Sequence, residues 1–268
     1  MRHSRGTSSA HLADTATGLP IPATHRFDSI EDERAQRRRR LAGAMRLFGK
    51  YGFAEGISGH ISVRDPGERD LFWVNPFGVP FSRVTVGDLI CVDADGVVVA
   101  GGDHSVNPSA FAVHSEIHKR GFDGIAHGHT VSSRALGALG LMLEPVDQES
   151  AAFYDNQSFY SAYDGPAVSV EHGRDIADAL GERNAILLRH HGLLTAGRSL
   201  EEAVHWFFTF ESCAKVQLLA RAAGPMEVMS GEQAELAKAG FGDRDLAEFT
   251  FQVLWEEIVH EQPDLLDE

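Results

Sequence analysis

A short apolar segment that ends in two alternating histidines constrains this chain more than any other feature. It runs from Gly124 to Thr130 and closes on His127-Gly128-His129, a pattern typical of a buried strand. Because side chains alternate along a strand, His127 and His129 point to the same side, about 7 Å apart. Two imidazoles on one face of a rigid strand hold a divalent metal well if another segment supplies a third ligand.

That third ligand is available in a second apolar segment, Leu187–Gly192, which contains His190 and His191. Three protein ligands leave coordination positions open, and open positions indicate chemistry rather than a structural metal. The alternative is that these histidines are merely buried and hydrogen bonded, since an isolated pair of alternating histidines is a weak signal.

Composition narrows the class of protein. The chain has 268 residues, 43% of them hydrophobic, enough for a substantial core. A formal charge of −15 argues against nucleic acid as a partner, because phosphates would be repelled. The two cysteines are far apart and give no disulfide framework. No apolar run has the length of a membrane span or the features of a signal peptide, so we expect a soluble, cytoplasmic protein.

The order of segments predicts an α/β protein with a flexible arm over residues 1–25 and a single domain over residues 26–268. Apolar periodicity and capping residues predict helices that start near Glu31, at Asn107-Pro108 and at Ser199, with two more over Glu232–Ala239 and Asp243–His260. Short apolar runs predict strands at Leu71–Val74, Leu89–Val92, Val97–Val99 and Ala167–Val170. Since hairpin turns dominate the first half, the sheet should be mostly non-parallel.

From about residue 35 to residue 223 the chain resembles the class II aldolase/adducin family. The matching features come in order: Gly59–Arg64, the loop Asn75-Pro76-Phe77-Gly78, the helix start Asn107-Pro108-Ser109, the pair His127 and His129, and His191-Gly192-Leu193-Leu194. The resemblance implies a three-layer α/β/α fold with a mixed, mostly antiparallel central sheet flanked by helices. It also implies a homotetramer and a divalent ion, zinc or else manganese, on His127, His129 and His191. His190 is an alternative ligand or a group behind the ligands, and His191 is preferred because it directly precedes the glycine.

The chain departs from the sugar-phosphate aldolases that it resembles. Those enzymes carry a glutamate in a Pro-Ser-Ser-Glu pattern early in the helix before the paired histidines, but the matching stretch here, Pro108-Ser109-Ala110-Phe111, has no acid. Glu116 lies about two turns from the start of that helix and replaces the missing acid only if the helix is placed differently. Otherwise it is a solvated helix residue.

The residues that hold the phosphate in those aldolases also differ here. His60 stands where they have an asparagine, and Phe77 stands where they have a hydroxyl-bearing residue. An imidazole donor and an apolar ring suit a carboxylate on a flat or apolar body better than a sugar phosphate. His60 is therefore the first candidate for proton transfer, with Glu116 as its rival. Gln148 is the third catalytic candidate, as a contact to the metal or its ligands, with a loop role as the alternative. The candidates for substrate binding are Asn75, Phe77, Gly78, Ser109 and His114. Phe77 also has a simpler interpretation as a core residue, and His60 as a turn residue that caps a strand. His114 and His118 lie four residues apart on one helix, where they could chelate a metal, present one proton donor to the site, or simply pack.

These observations predict a metal-dependent carbon–carbon lyase that acts through a metal-stabilised enolate. The substrate is expected to be a small, non-phosphorylated hydroxy-carbonyl compound or carboxylate, and the reaction an aldol cleavage or a decarboxylation. Two alternatives stay open. One is a non-catalytic, adducin-like assembly protein, which the retained histidines disfavour. The other is a metal-dependent epimerase or isomerase.

Overall fold

The computed structural model describes residues 12–14, 20–22, 27–163 and 165–268. Its strands are β1 (Leu12–Asp14), β2 (Pro20–Pro22), β3 (His60–Arg64), β4 (Phe72–Val74), β5 (Ile90–Val92), β6 (Val98–Gly101), β7 (Gly124–Gly128), β8 (Gln157–Tyr160), β9 (Ala185–Leu188) and β10 (Leu193–Gly197). Its α-helices are α1 (Ile30–Tyr51), α2 (Pro108–Lys119), α3 (Val131–Leu139), α4 (Val170–Leu180), α5 (Leu200–Ala223), α6 (Gly231–Phe241) and α7 (Arg244–Glu261).

Eight of these strands form the central sheet, in the order β6-β5-β4-β3-β7-β10-β9-β8. Every neighbouring pair is antiparallel except β8 and β9, which run parallel. The predicted α/β class with a mixed, mostly antiparallel sheet is therefore confirmed. Strands β3, β7 and β10 lie in the middle of the sheet, and they carry or adjoin the histidines singled out above.

Helices cover both faces of the sheet, and alternation along each strand divides the core between them. On β7, Ile125 belongs to the apolar cluster beneath α2 and α4, whereas Ala126 belongs to the cluster beneath α1 and α5. Residue 127 shares the face of residue 125, so the His127 side chain is directed to the side of α2 and α4.

Helix boundaries follow the capping residues closely. The Asn107 side chain accepts a hydrogen bond from the Ser109 amide at the start of α2, and Ser199 accepts one from Glu202 at the start of α5. Helix α1 ends at Gly52, whose φ of 73° is left-handed. Helix α7 packs against α1 and α5. The predicted division of the chain, with a single domain over residues 26–268, stays a prediction.

One predicted strand is wrong. Residues 167–170 do not form a strand, because the Ser169 side chain caps the helix α4 that begins at Val170. The strand of this region is β8, which the sequence pattern did not reveal. Most of the predicted arm, residues 1–25, lies outside the described residues, but β1 and β2 within it pair as a short antiparallel ribbon. No helix in the described ranges has both the length and the apolar character to cross a bilayer.

Candidate metal centre

Three histidines from two neighbouring parts of the sheet converge in the structure. One ring nitrogen each of His127, His129 and His191 lies within 4.8 Å of the other two. His127 is buried and the other two are half-buried, so one side of the cluster is open to solvent. The geometry of the cluster follows from the pairing of Leu193 with Gly128, which places the turn before β10 beside the end of β7.

The turn before β10 directs the side chains of His190 and His191 to different places. His190 has a left-handed φ of 56°, its ring lies beside Tyr163, and the structure does not group it with the cluster. His191 leads into Gly192, where a Cβ atom would lie 2.5 Å from the Gly128 carbonyl oxygen and 3.0 Å from the His129 ring. Glycine at 192 is therefore what allows this turn to approach His129.

The tautomer of His127 leaves one ring nitrogen of the cluster free to bind a cation. The Nδ1–H of His127 donates to the Leu193 carbonyl oxygen at 2.8 Å, which leaves Nε2 unprotonated in a neutral ring. Nε2 lies 3.1 Å from Nε2 of His129. Burial lowers the pKa of His127 well below its usual value and that of His191 to about 4. Neutral imidazoles whose ring nitrogens converge in this way fit a divalent ion.

A distant carboxylate fixes the loop after β7. Glu211 on α5 accepts hydrogen bonds from the Ser132 and Ser133 amides and from the Thr130 hydroxyl. These groups form the start of α3, directly after His129, so Glu211 caps the helix and holds the histidine in place. Sequence reasoning missed Glu211, since no local pattern links it to a helix about eighty residues earlier.

The structure also brings His60 and His114 to the cluster. His60 on β3 stands opposite His127 on β7 in the strand register, and the two ring centroids are 4.7 Å apart. Nδ1 of His60 is 2.7 Å from Nε2 of His114, which projects from α2. Both rings are buried, and this burial lowers the pKa of each well below the usual value.

The other two catalytic candidates lie elsewhere. Glu116 is two residues beyond His114, about 200° further around the helix, and its carboxylate pairs with Lys119 at 2.6 Å and Arg174 at 3.5 Å. A catalytic role for Glu116 requires a helix rotated towards the cluster, and α2 is not rotated in that way. Glu116 is nevertheless buried rather than solvated. Gln148 is exposed and lines a surface groove with Gln233 and Leu236 of α6.

The candidates for substrate binding are partly engaged by the backbone. The buried Asn75 side chain accepts a hydrogen bond from the Ile61 amide, one residue from His60. Phe77 is 37% exposed and its amide donates to the Ser105 carbonyl oxygen, while Gly78 has a left-handed φ of 89°. The Ser109 amide donates to the Asn107 cap, which leaves its hydroxyl outside that bond. Their contact with a substrate stays a prediction.

Comparison with known proteins now places the chain in a family. Residues 39–218 match the model of the class II aldolase and adducin N-terminal domain, and the chain belongs to that family. The chain is similar, at 35% identity and a TM-score of 0.85, to the solved structure of L-fuculose 1-phosphate aldolase from Glaciozyma antarctica PI12. That match covers 92% of this chain and 97% of the aldolase.

Two curated relatives carry names that indicate other reactions. Decarboxylase NovR of Streptomyces niveus is 38% identical over 242 residues, which cover 89% of this chain and 90% of the relative. The 4-hydroxy-3-prenylphenylpyruvate oxygenase/4-hydroxy-3-prenylbenzoate synthase of Streptomyces roseochromogenus subsp. oscitans is also 38% identical over 242 residues, with 89% and 87% coverage. The family and these relatives support a lyase of the aldolase or decarboxylase type.

Proposed function

We propose that this protein is a metal-dependent carbon–carbon lyase, and a decarboxylase rather than a sugar-phosphate aldolase. The observation that carries the proposal is the convergence of His127, His129 and His191 with the unprotonated Nε2 of His127 inside the cluster. A divalent ion held there, zinc or else manganese, supplies a Lewis acid that stabilises the negative charge formed when a bond beside a carbonyl or carboxylate breaks.

The residues around the cluster favour a non-phosphorylated substrate. The start of α2 has Ala110 and Phe111 in place of an acid, and the ring of His60, with His114 behind it, lies beside His127. His60 is the residue proposed to exchange a proton with the substrate, because its ring lies against His127 within the site. The similarity to decarboxylase NovR supports the same choice of reaction.

A second candidate function is a metal-dependent oxygenase. It is favoured by the similarity to the oxygenase/synthase, whose substrate, by its name, is a hydroxylated aromatic keto acid. A cluster of three ligands with open positions also suits a redox-active ion that binds oxygen. The two candidates differ in whether the reaction consumes dioxygen.

Metal binding is tested by elemental analysis of the purified protein, with one divalent ion per chain as the expected result. His129→Ala should lose most of that metal, because a site with three ligands rarely survives the loss of one. His190→Asn is the matched control. It removes an imidazole beside the cluster at a left-handed position that asparagine tolerates, and metal content should be unchanged. Equal metal in the alanine variant and the parent would refute the ligand assignment.

The reaction is tested by incubating the metal-loaded protein with hydroxylated aromatic carboxylates and, separately, with hydroxy-aldehydes, both with and without dioxygen. Carbon dioxide release that continues under anaerobic conditions is the expected outcome. Release that stops without dioxygen would favour the oxygenase. A metal-loaded protein that transforms none of these compounds would favour a non-catalytic, adducin-like role, and epimerised hydroxy-aldehydes would favour an isomerase.

The assembly state is part of the proposal. We propose a homotetramer, and apolar side chains that remain exposed in the chain, Val131 at 81% and Leu219 at 64%, support an interface between copies. Light scattering should give a mass well above the 29.2 kDa of one chain, and a monomer at micromolar concentration would count against it. The cytoplasmic location stays a prediction.

A further inference from the structure

A buried row of hydrogen bonds leads away from the metal cluster between β3 and α2. Nδ1 of His60 lies 2.7 Å from Nε2 of His114, and Nδ1 of His114 lies 2.7 Å from the Ser62 hydroxyl. The same hydroxyl lies 2.9 Å from Nε2 of His118. The row ends where Nδ1 of His118 lies 2.9 Å from the Phe122 carbonyl oxygen. All four side chains are at most 4% exposed.

The last group in the row fixes the direction of every bond in it. A carbonyl oxygen only accepts, so Nδ1 of His118 carries a proton. In a neutral ring Nε2 of His118 is then an acceptor, and the Ser62 hydroxyl donates its single proton to it. Ser62 therefore accepts from Nδ1–H of His114, which leaves Nε2 of His114 to accept from Nδ1–H of His60.

The neutral state that this assignment needs agrees with the surroundings of the rings. Burial is the largest influence on each, and it lowers the pKa of His118 to about 3 and that of His114 well below the usual value. The row therefore contains no excess proton at neutral pH, and each of its imidazoles carries its one proton on Nδ1.

We propose that Ser62, His114 and His118 are positioning residues that hold His60 in one tautomer, with its proton on Nδ1 and a bare lone pair on Nε2. Among the described residues, none is hydrogen bonded to that Nε2. Its ring lies against His127, so the lone pair belongs to the same site as the metal cluster.

This assignment changes the chemistry expected of His60. The sequence suggested an imidazole donor that would suit a carboxylate, whereas the fixed tautomer presents an acceptor. An acceptor at this point matches a substrate hydroxyl, whose O–H donates to Nε2, and opposes a phosphate or carboxylate oxygen. This consequence for the substrate rests on the proposed function, but the tautomer does not.

The tautomer is tested by nitrogen-15 spectra of histidine-labelled, metal-free protein, because the protonated and unprotonated nitrogens of a neutral imidazole resonate far apart. Signals are assigned by their loss in single histidine variants. We expect Nδ1 to be protonated and Nε2 unprotonated in His60, His114 and His118 of the parent. A proton on Nε2 of His60 in the parent would overturn the proposal, whatever the variants do.

Ser62→Ala interrupts the row and should leave His60 and His114 in mixed tautomers, while His118 keeps its proton on Nδ1 through Phe122. Ser115→Ala is the matched control, since Ser115 is a buried serine of α2 whose hydroxyl has no hydrogen-bond partner within the described part of the chain. It should leave all three rings unchanged, and Ser62→Thr, which retains the hydroxyl, should restore the parent pattern. A single, unaltered His60 tautomer in a folded Ser62→Ala protein would contradict the role of Ser62.

The consequence for the substrate is tested with two probes, 4-hydroxybenzoate and 4-methoxybenzoate, which differ in whether the oxygen can donate. Zinc-loaded parent and Ser115→Ala should bind the hydroxyl compound roughly tenfold more tightly, and Ser62→Ala should lose most of that preference, as expected when a group behind a site residue is removed. A preference retained by Ser62→Ala would overturn this step. If neither compound binds, the substrate class of the proposed function fails, while the spectra still decide the tautomer.

Discussion

Two side chains compete for the role of proton acceptor, an imidazole and a carboxylate, and their neighbours differ in charge. His60 lies among neutral rings beside His127, whereas Glu116 lies between the cations of Lys119 and Arg174. Both cations hold the Glu116 carboxylate in ion pairs about 200° around α2 from His114, the residue of this helix that contacts His60. The surroundings therefore favour His60.

His60→Asn should lower turnover by a factor of roughly 100 or more, the usual contribution of general acid–base catalysis. Its amide nitrogen can occupy the place of Nδ1 and keep the bond to His114, so metal content should not change. Glu116→Gln is the comparison and should leave turnover close to the parent value. Steady-state rates and elemental analysis of both variants check this, and the reverse result would return the role to Glu116.

At this scale the sequence predicts which residues assemble but not how each one is used. The alternation of His127 and His129 predicts two members of the cluster, and the family resemblance, with its glycine after His191, adds the third. The placement of Glu116 and Gln148 depends on the rotation of α2 and on where α6 packs, neither of which a local pattern specifies. The row through Ser62 requires the register of two distant elements, although His114 and His118, four residues apart, indicate a shared helix face.

Among the elements, helices α2 and α4 approach each other most closely at Gly173, where there is no room for a side chain. A Cβ atom at Gly173 of α4 would lie 1.9 Å from the Ala112 carbonyl oxygen of α2, a backbone atom that cannot swing aside. Since α2 carries His114 and His118, this contact also sets how deeply the helix sits on β3.

Gly173→Ala should therefore force the two helices apart and lower the free energy of unfolding by about 1–3 kcal/mol, the usual cost of overpacking. Urea unfolding measures the change. Asp175→Ala is the matched control, an exposed position on the same helix where alanine should be neutral or slightly stabilising. Equal stability of the two variants would show that α4 can shift without cost.

Element boundaries were predictable where a side chain caps the backbone, as at Asn107 and Ser199, because a cap is a local interaction. The strand β8 was not, since Gln157–Tyr160 mixes polar and aromatic residues and gains its partner β9 through the tertiary fold. The apolar residues Ala167 and Val168 suggested a strand, but Ser169 outweighs them by capping α4.

For the molecule as a whole, buried neutral imidazoles make stability depend on pH. Burial lowers the pKa of His118 to about 3 and that of His205 to about 4, against 6.5 for the ordinary group. As the pH falls below 6.5, the unfolded chain binds protons that the folded chain does not. Each such residue therefore lowers the free energy of unfolding by up to about 1.4 kcal/mol per pH unit until its folded pKa is reached.

Urea unfolding of metal-free protein should accordingly show a steady loss of stability between pH 6.5 and pH 4 and little change from these residues above pH 7.5. His205→Phe removes one contribution and should make the decline shallower, whatever its effect on stability at pH 7.5. Hydrogen bonds from Arg34 and Trp73 help to lower the pKa of Asp65 to about 2. Protonation of Asp65 therefore affects stability only in a separate range below pH 4. A decline of the same slope in parent and His205→Phe would contradict the assignment.

The position of the histidine cluster in the strand order determines which local openings of the sheet can disturb it. Strands β3, β7 and β10 are bordered on both sides by other strands, whereas β6 and β8 lie at the edges. Edge strands can detach in transient openings that cost less than global unfolding, so amide exchange should proceed from the edges inward. Two of the three histidines, His127 and His129, lie on or directly after a strand of this slowly exchanging centre. An ion bound there as proposed would then leave and return through the solvent-facing side while the scaffold that receives it stays assembled.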